Sequence, residues 1–235
     1  MLHTFSLLSA IVLFAGMASA SAETTVSDYS LNMDGYICDW MLCGPFPNED
    51  GTGMDKDYLA EDGGEQATAP DLSKTYEVSI AQCPHTKVKA EWFPQVLPDD
   101  QRLFVYQVDL GNIIMDRLNL GSSDYLLLYG FVYLESLKEQ EALIIISSDD
   151  EYKAWFNGEA IGESRGERDM IIDQEAVRVT FRKGRNSLLV KSGSLISQVY
   201  ALGESGYQFM VRVTDLDGHP LTDSVSIVFP TDDSQ

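Results

Sequence analysis

Short apolar runs rich in Val, Ile, Leu, Tyr and Phe recur along this chain, each closed by Gly, Pro, Asn or Asp. A chain punctuated this way has few folds open to it, because each run is too short for a helix to bury and suits a strand. "YICDWMLCGPF" (Tyr36 to Phe46) reads as a strand ended by Gly44-Pro45. "KVKAEWFPQV" (Lys87 to Val96) reads as an edge strand, since Pro94 cannot donate to a ladder. "RLFVYQVDL" (Arg102 to Leu110) is a further strand. "SDYLLLYGFVYLES" (Ser123 to Ser136) is a long one, with Gly130 marking a bulge. "EALIIISSDD" leads into a hairpin in which Tyr152, Ala154 and Phe156 alternate with Lys153 and Trp155, and Asn157-Gly158 supplies a type I′ turn. "AVRVTFRKGRNSLLVKSG" (Ala176 to Gly193) reads as a second hairpin turning near Lys183-Gly184, and "GYQFMVRVTDLDG" and "SVSIVFP" complete the set. No amphipathic helix is evident, only a short helical turn at "IIMDRLNLG". The pattern predicts an all-β fold, an antiparallel β-sandwich.

The N-terminus sets the compartment. Leu7 to Gly16 is apolar and is followed by Ala18, Ala20 and Ala22, the layout of a signal peptide over residues 1–22, although the start carries only His3 as a basic group. A membrane anchor is the competing reading, but the run is shorter than the ~20 residues that span a bilayer. No later segment is long and apolar enough to span. The expectation is an exported protein, periplasmic or extracellular, with one domain over 23–230, a long Gly- and Asp-rich loop at 47–73 and a frayed tail at 231–235.

The net charge of −21 argues against nucleic acid and against an anionic membrane surface as partners. It is compatible with divalent cations and equally with plain solubility. Export permits disulfides. Cys38 and Cys43, read as one strand, would lie roughly 16 Å apart at ~3.3 Å per residue, too far to bridge. Either Cys83 joins one of them or all three stay reduced, and no His cluster accompanies them to suggest zinc.

The order "W..CGPFPN", "DYLAEDGGE", "SDDEYKAWFNGEAIG", "FRKGRNSLLVKSG", "GYQFMVRVTD" resembles an exported bacterial, planctomycete-like module. That family looks like the galactose-binding-like jelly rolls, and its hairpin is similar to the one in protective-antigen-type sugar-binding domains. The resemblance implies non-catalytic carbohydrate recognition, in which an Asp-Asp pair holds a calcium ion that coordinates sugar hydroxyls. The matching residues are Asp149 and Asp150. Glu151 stands where the family carries Gly, adding a carboxylate and removing a permissive backbone position.

The residues themselves leave two readings of this end. Asp149 and Asp150, with Asp173 from a facing loop, could ligate calcium, which takes six to eight oxygens; or the two aspartates cap a turn through local hydrogen bonds. Trp92 is the aromatic expected to be exposed enough to stack on a sugar. Trp155 and Trp40 suit stacking or core packing. Arg165 and Arg168 could hold a sugar or a carboxylate. Lys191, in an apolar alternation, either pairs with an acidic residue or faces solvent. His85 and His219 lie in loops without metal-ligand spacing, no nucleophile elbow is present, and no acid pair stands out, so an enzyme is not expected. The function expected is a carbohydrate-binding-like module, calcium-assisted. The alternative is an extracellular structural or adhesion domain that contacts a cell-surface or other extracellular protein and takes no small ligand.

Overall fold

The computed structural model describes residues 28–98, 100–101, 106–195 and 206–229. The expected signal peptide, the tail at 231–235 and the start of the strand expected from Arg102 lie outside them. In chain order the elements are β1 (Asp28–Ser30), β2 (Trp40–Pro47), β3 (Thr75–Val78), β4 (Val88–Gln95), β5 (Val108–Asp109), helix α1 (Leu110–Leu118), β6 (Leu126–Ser136) and β7 (Gln140–Ser148). They continue with β8 (Glu151–Phe156), β9 (Glu159–Ser164), β10 (Glu175–Phe181), β11 (Gly184–Gly193), β12 (Gln208–Thr214) and β13 (Val225–Val228).

These strands form an antiparallel β-sandwich. A nine-stranded sheet runs β3-β4-β2-β6-β11-β8-β9, with β13 on β6 and β1 on β13. A four-stranded sheet runs β10-β7-β12-β5. Alternation along each strand sets the inner faces, and Trp40 meets Phe209 (ring centroids 5.0 Å) and Phe156 meets Phe181 (4.9 Å) across the gap between the sheets. Gly130 lies on this inner face. It is not a bulge: β6 and β11 pair in unbroken register through it. A Cβ there would stand 3.0 Å from Trp40 and 3.2 Å from Phe209, so its bare backbone is what lets the large rings close over it.

Other expectations change for nonlocal reasons. β2 runs through Gly44-Pro45 to Pro47, its register against β6 shifting between Cys43 and Phe46. β4 is covered by β3 over Val88 to Glu91, and Pro94 sits beyond that cover, so the proline rule holds locally while the strand is not an edge along its length. The short turn after Gly111 is the end of a nine-residue helix. Asp109 caps it by accepting from Asn112 N (2.9 Å), and Asn119 closes it at φ 52°. The hairpin β8–β9 is present, with Asn157 at φ 52° and Gly158 at φ 80°. The second hairpin is not: β10 pairs with β7 in one sheet and β11 with β6 and β8 in the other, so Arg182-Lys183 is a corner between sheets. Asn186 knits that corner, its Oδ1 accepting from Arg182 N (2.9 Å) and its Nδ2 donating to the carbonyls of Arg182 and Gly184 (both 2.9 Å).

The expected long loop packs on the outer face of the larger sheet, where it buries Lys191 completely. The Lys191 ammonium donates to Met54 O (3.1 Å), Lys56 O (2.6 Å) and Glu65 Oε1 (2.7 Å), and Tyr129 OH donates to the same Glu65 oxygen (2.7 Å). Burial draws the lysine below its ordinary pKa, while Glu65 opposes that. The pairing alternative for Lys191 is therefore the one realised. All three cysteines are free thiols. Cys38 precedes β2 and packs with Tyr36 and Met210, Cys43 lies in the main core, and Cys83 is half-buried. Among the described residues, no helix is long and apolar enough to cross a membrane.

Candidate functional site

Ser147-Ser148-Asp149-Asp150-Glu151 is a corner of the same kind as Arg182-Lys183. β7 belongs to the smaller sheet and β8 to the larger, and two aspartates make the passage between them. Asp150 takes φ 61°, a left-handed conformation that Asp tolerates better than most residues. All three carboxylates are buried, at 6%, 4% and 4% exposure for Asp149, Asp150 and Glu151.

The partners of the Asp150 and Glu151 carboxylates are remote in sequence, so a local turn cap does not describe them. Asp150 Oδ2 accepts from Leu195 N (2.7 Å), and its Oδ1 accepts from Arg168 N (3.3 Å). Arg168 closes the loop by donating from Nε to Asp150 O (3.0 Å) and from Nη2 to Ser148 Oγ (2.6 Å), and it is ion-paired with Glu175. Burial pushes Glu175 up, but hydrogen bonds from Tyr152 and Arg168 outweigh it and hold the carboxyl below its usual range. Glu151 faces the long loop, accepting from Asn48 Nδ2 (3.2 Å) and Gly166 N (3.2 Å), with Arg165 Nη1 at 3.7 Å.

Asp149 differs from its neighbours. Its backbone N–H donates to Gln208 O (2.9 Å), yet its carboxylate is given no hydrogen-bond donor by the described residues. Burial, then Asp150 and Asp169, push its pKa up to about 7 against the opposing pull of Arg168. Gln208, its cross-strand neighbour on β12, buries a side-chain Oε1 that also has no hydrogen-bond partner. Gln208 Oε1 is thus a buried acceptor without a donor, a state that costs free energy until a cation, water or hydroxyl enters.

The other residues picked out from sequence are distributed as follows. Asp173 is ion-paired with Arg212 Nη1 (2.8 Å), away from the carboxylates it was expected to join in ligating calcium. Arg165 straps the segment after β2, pairing with Asp55 and donating to Gly51 O (3.4 Å). Trp92 is only 8% exposed and packs edge-on to Phe131, and Trp155 is 7% exposed. Neither indole presents a face on which a ring could stack, which corrects the expected exposure of Trp92. Gln208 went unnoticed in the sequence, and Asp169 was not singled out within the "GERDMIID" segment that was expected to approach this end. The available signal for Gln208 was a polar residue opening an apolar strand. Asp215, Asp217 and His219 also gather, with ligating atoms within 4.8 Å of one another, where sequence spacing suggested nothing. They form an exposed turn in which Asp215 Oδ1 accepts from Asp217 N (2.9 Å) and His219 N (2.8 Å).

No family model matches the chain, and no curated protein is similar to it. Among solved structures, the PA14 domain of the antifreeze protein MpAFP is similar at TM-score 0.28 and 12% identity, over 43% of this chain and 51% of that one. The GH31 α-xylosidase from Xanthomonas citri is similar at TM-score 0.29 and 8% identity, over 61% of this chain and 15% of that one. The chain therefore spans about half of the first and a small part of the second. Likeness this slight carries no functional argument.

Proposed function

We propose that this is an exported, non-catalytic carbohydrate-binding module whose ligand end is the Asp149 corner, assisted by calcium. The observation that carries the reading is the pairing of Asp149, 6% exposed and with no donor to its carboxylate among the described residues, with Gln208, which meets it through the backbone and buries a side-chain oxygen that has no partner. The donor set is all oxygen, which suits a hard cation. Asp149 and Gln208 would hold it, with Asp169 adding negative charge nearby. A calcium ion held there would supply the positive charge that keeps Asp149 ionised and would attract sugar hydroxyls. Asp150 contributes by fixing the corner through its two amide contacts.

The test is a calcium titration read by thermal melting, followed by an oligosaccharide panel with and without chelator. Calcium should raise the melting temperature of wild type and leave Asp149→Asn unmoved, and retention of neutral sugars should need both calcium and Asp149. Identical calcium responses in the two proteins would remove the ion from the account. The second reading, a protein-interaction domain, is favoured by a different feature. Met33, Ile171 and Ile172 are 62–68% exposed, and Arg212 ties their two loops together through Asp34 O (2.6 Å) and Asp173. Ile171→Ser with Ile172→Ser should abolish partner capture under that reading and leave sugar retention intact.

A further inference from the structure

The described arginines divide into two groups. Arg117, Arg165, Arg168, Arg178 and Arg212 each contact a carboxylate. Arg182 and Arg185 do not, and in a chain with 37 acidic residues against 16 basic ones this is unexpected. Both line one surface. A cleft of about 470 Å³ lies between the free edges β9 and β10, with Arg178, Arg182, Glu141 and Glu159 at its rim and Phe156, Ile161 and Val179 among its apolar lining. A second depression of about 270 Å³ shares Asn157 and Arg182 with it and adds Arg185, Tyr133, Thr68 and Ser187.

Among the residues lining the two depressions, three arginines face two glutamates, and one of those, Glu141, is already taken by Arg178. Glu135 lies across from Arg185 on β6 but makes no ion pair with it. Arg185 lies over the Tyr133 ring at 4.7 Å, which holds the guanidinium plane while leaving its N–H edge available. Arg182 projects from the corner that Asn186 fixes, so its backbone is rigid although its head group is exposed. A guanidinium fork recognises planar or tetrahedral oxyanions in bidentate fashion. The hydroxyls of Thr180 and Thr68 and the apolar lining add what a sugar ring needs beyond its charge.

We infer that this flank is a binding site for an anionic saccharide, one carrying a carboxylate or a sulfate, separate from the Asp149 corner. Charge selects the ligand here: the surrounding negative field repels anions except where these arginines face outward. The site needs no metal, so it stands or falls apart from the calcium reading.

The test is affinity electrophoresis of the full chain, in chelator, through gels containing a polyuronate, a sulfated polysaccharide, a neutral polysaccharide or poly-glutamate. One or both anionic polysaccharides should retard the wild type, and which of them does so identifies the anion. The neutral gel and poly-glutamate should not retard it. Arg182→Gln and Arg185→Gln should each weaken retardation about tenfold or more, the loss expected for a charge-assisted contact. Absence of retardation by both anionic polysaccharides, or an unchanged Arg182→Gln, would overturn the inference. Equal retardation by poly-glutamate would replace it with a site that reads charge alone.

Discussion

Ionising Asp149 should destabilise the metal-free fold, and the size of the effect follows from its surroundings. Its carboxyl is pushed up to about 7 from an ordinary 3.8 by burial and by Asp150 and Asp169. Below pH 3.8 both folded and unfolded chains carry the proton, so no penalty exists. Between 3.8 and about 7 the folded chain keeps a proton that the unfolded chain has released, and stability falls as pH rises. Above about 7 the penalty is complete, at most about 4 kcal/mol for a gap of this width at about 1.4 kcal/mol per tenfold. Asp149→Asn removes the titration. Because the chain's other carboxylates also repel one another as pH rises, the quantity to follow is the difference between variant and wild type. Denaturant unfolding in chelator at several pH values from 4 to 8 should show the variant gaining on wild type through that range, by up to a few kcal/mol. Calcium at about one hundred times its dissociation constant should return about 2.7 kcal/mol to wild type at pH 8 and none to the variant. Parallel stability curves from pH 4 to pH 8 would refute the reasoning, because they would mean that Asp149 finds solvent or a donor.

Three further outcomes follow. Lys191→Met leaves Glu65 with only the Tyr129 hydroxyl under the long loop, and should cost about 3–5 kcal/mol in denaturant unfolding; adding Glu65→Leu should recover most of it. Gly130→Ala drives a methyl to 3.0 Å from Trp40 and should lower stability by about 1–3 kcal/mol, with a changed tryptophan emission spectrum. In the native protein a thiol reagent should label half-buried Cys83 readily and Cys38 and Cys43 only on unfolding, since they are 3% and 0% exposed.

Much of the fold was legible where local chemistry has one meaning. Asn157-Gly158 demands two positive φ angles, and the flanking alternation of Tyr152, Ala154 and Phe156 demands a pleated, half-buried strand, so β8–β9 could be read directly. Legibility failed where one local signal serves two structures. Ser-Asp-Asp and Arg-Lys-Gly look like hairpin turns because a reversal within a sheet and a step between sheets use the same turn-forming residues. Only the register of β7 with β10 and β12, and of β11 with β6 and β8, separates the two cases. The helix was underestimated because its N-cap, Asp109, sits inside what reads as strand.

The candidate site divides along the same line. Asp149 and Asp150 were visible as paired carboxylates at a strand end, but adjacency in sequence made them look equivalent. In the fold, the Asp150 carboxylate turns to the amides of Arg168 and Leu195 and that of Glu151 to Asn48, whereas Asp149 meets Gln208 through its backbone N–H alone. The chain's amino-acid order by itself determined most of the strands, the turn at Asn157-Gly158 and the paired carboxylates at a strand end. Tertiary structure alone decided which carboxylate lacks a donor, which tryptophans are hidden and which arginines remain unpaired. The physical reason is one of range. Backbone preference and side-chain alternation act over a few residues, whereas desolvation and hydrogen-bond supply at a buried group are set by segments that meet only when the two sheets close.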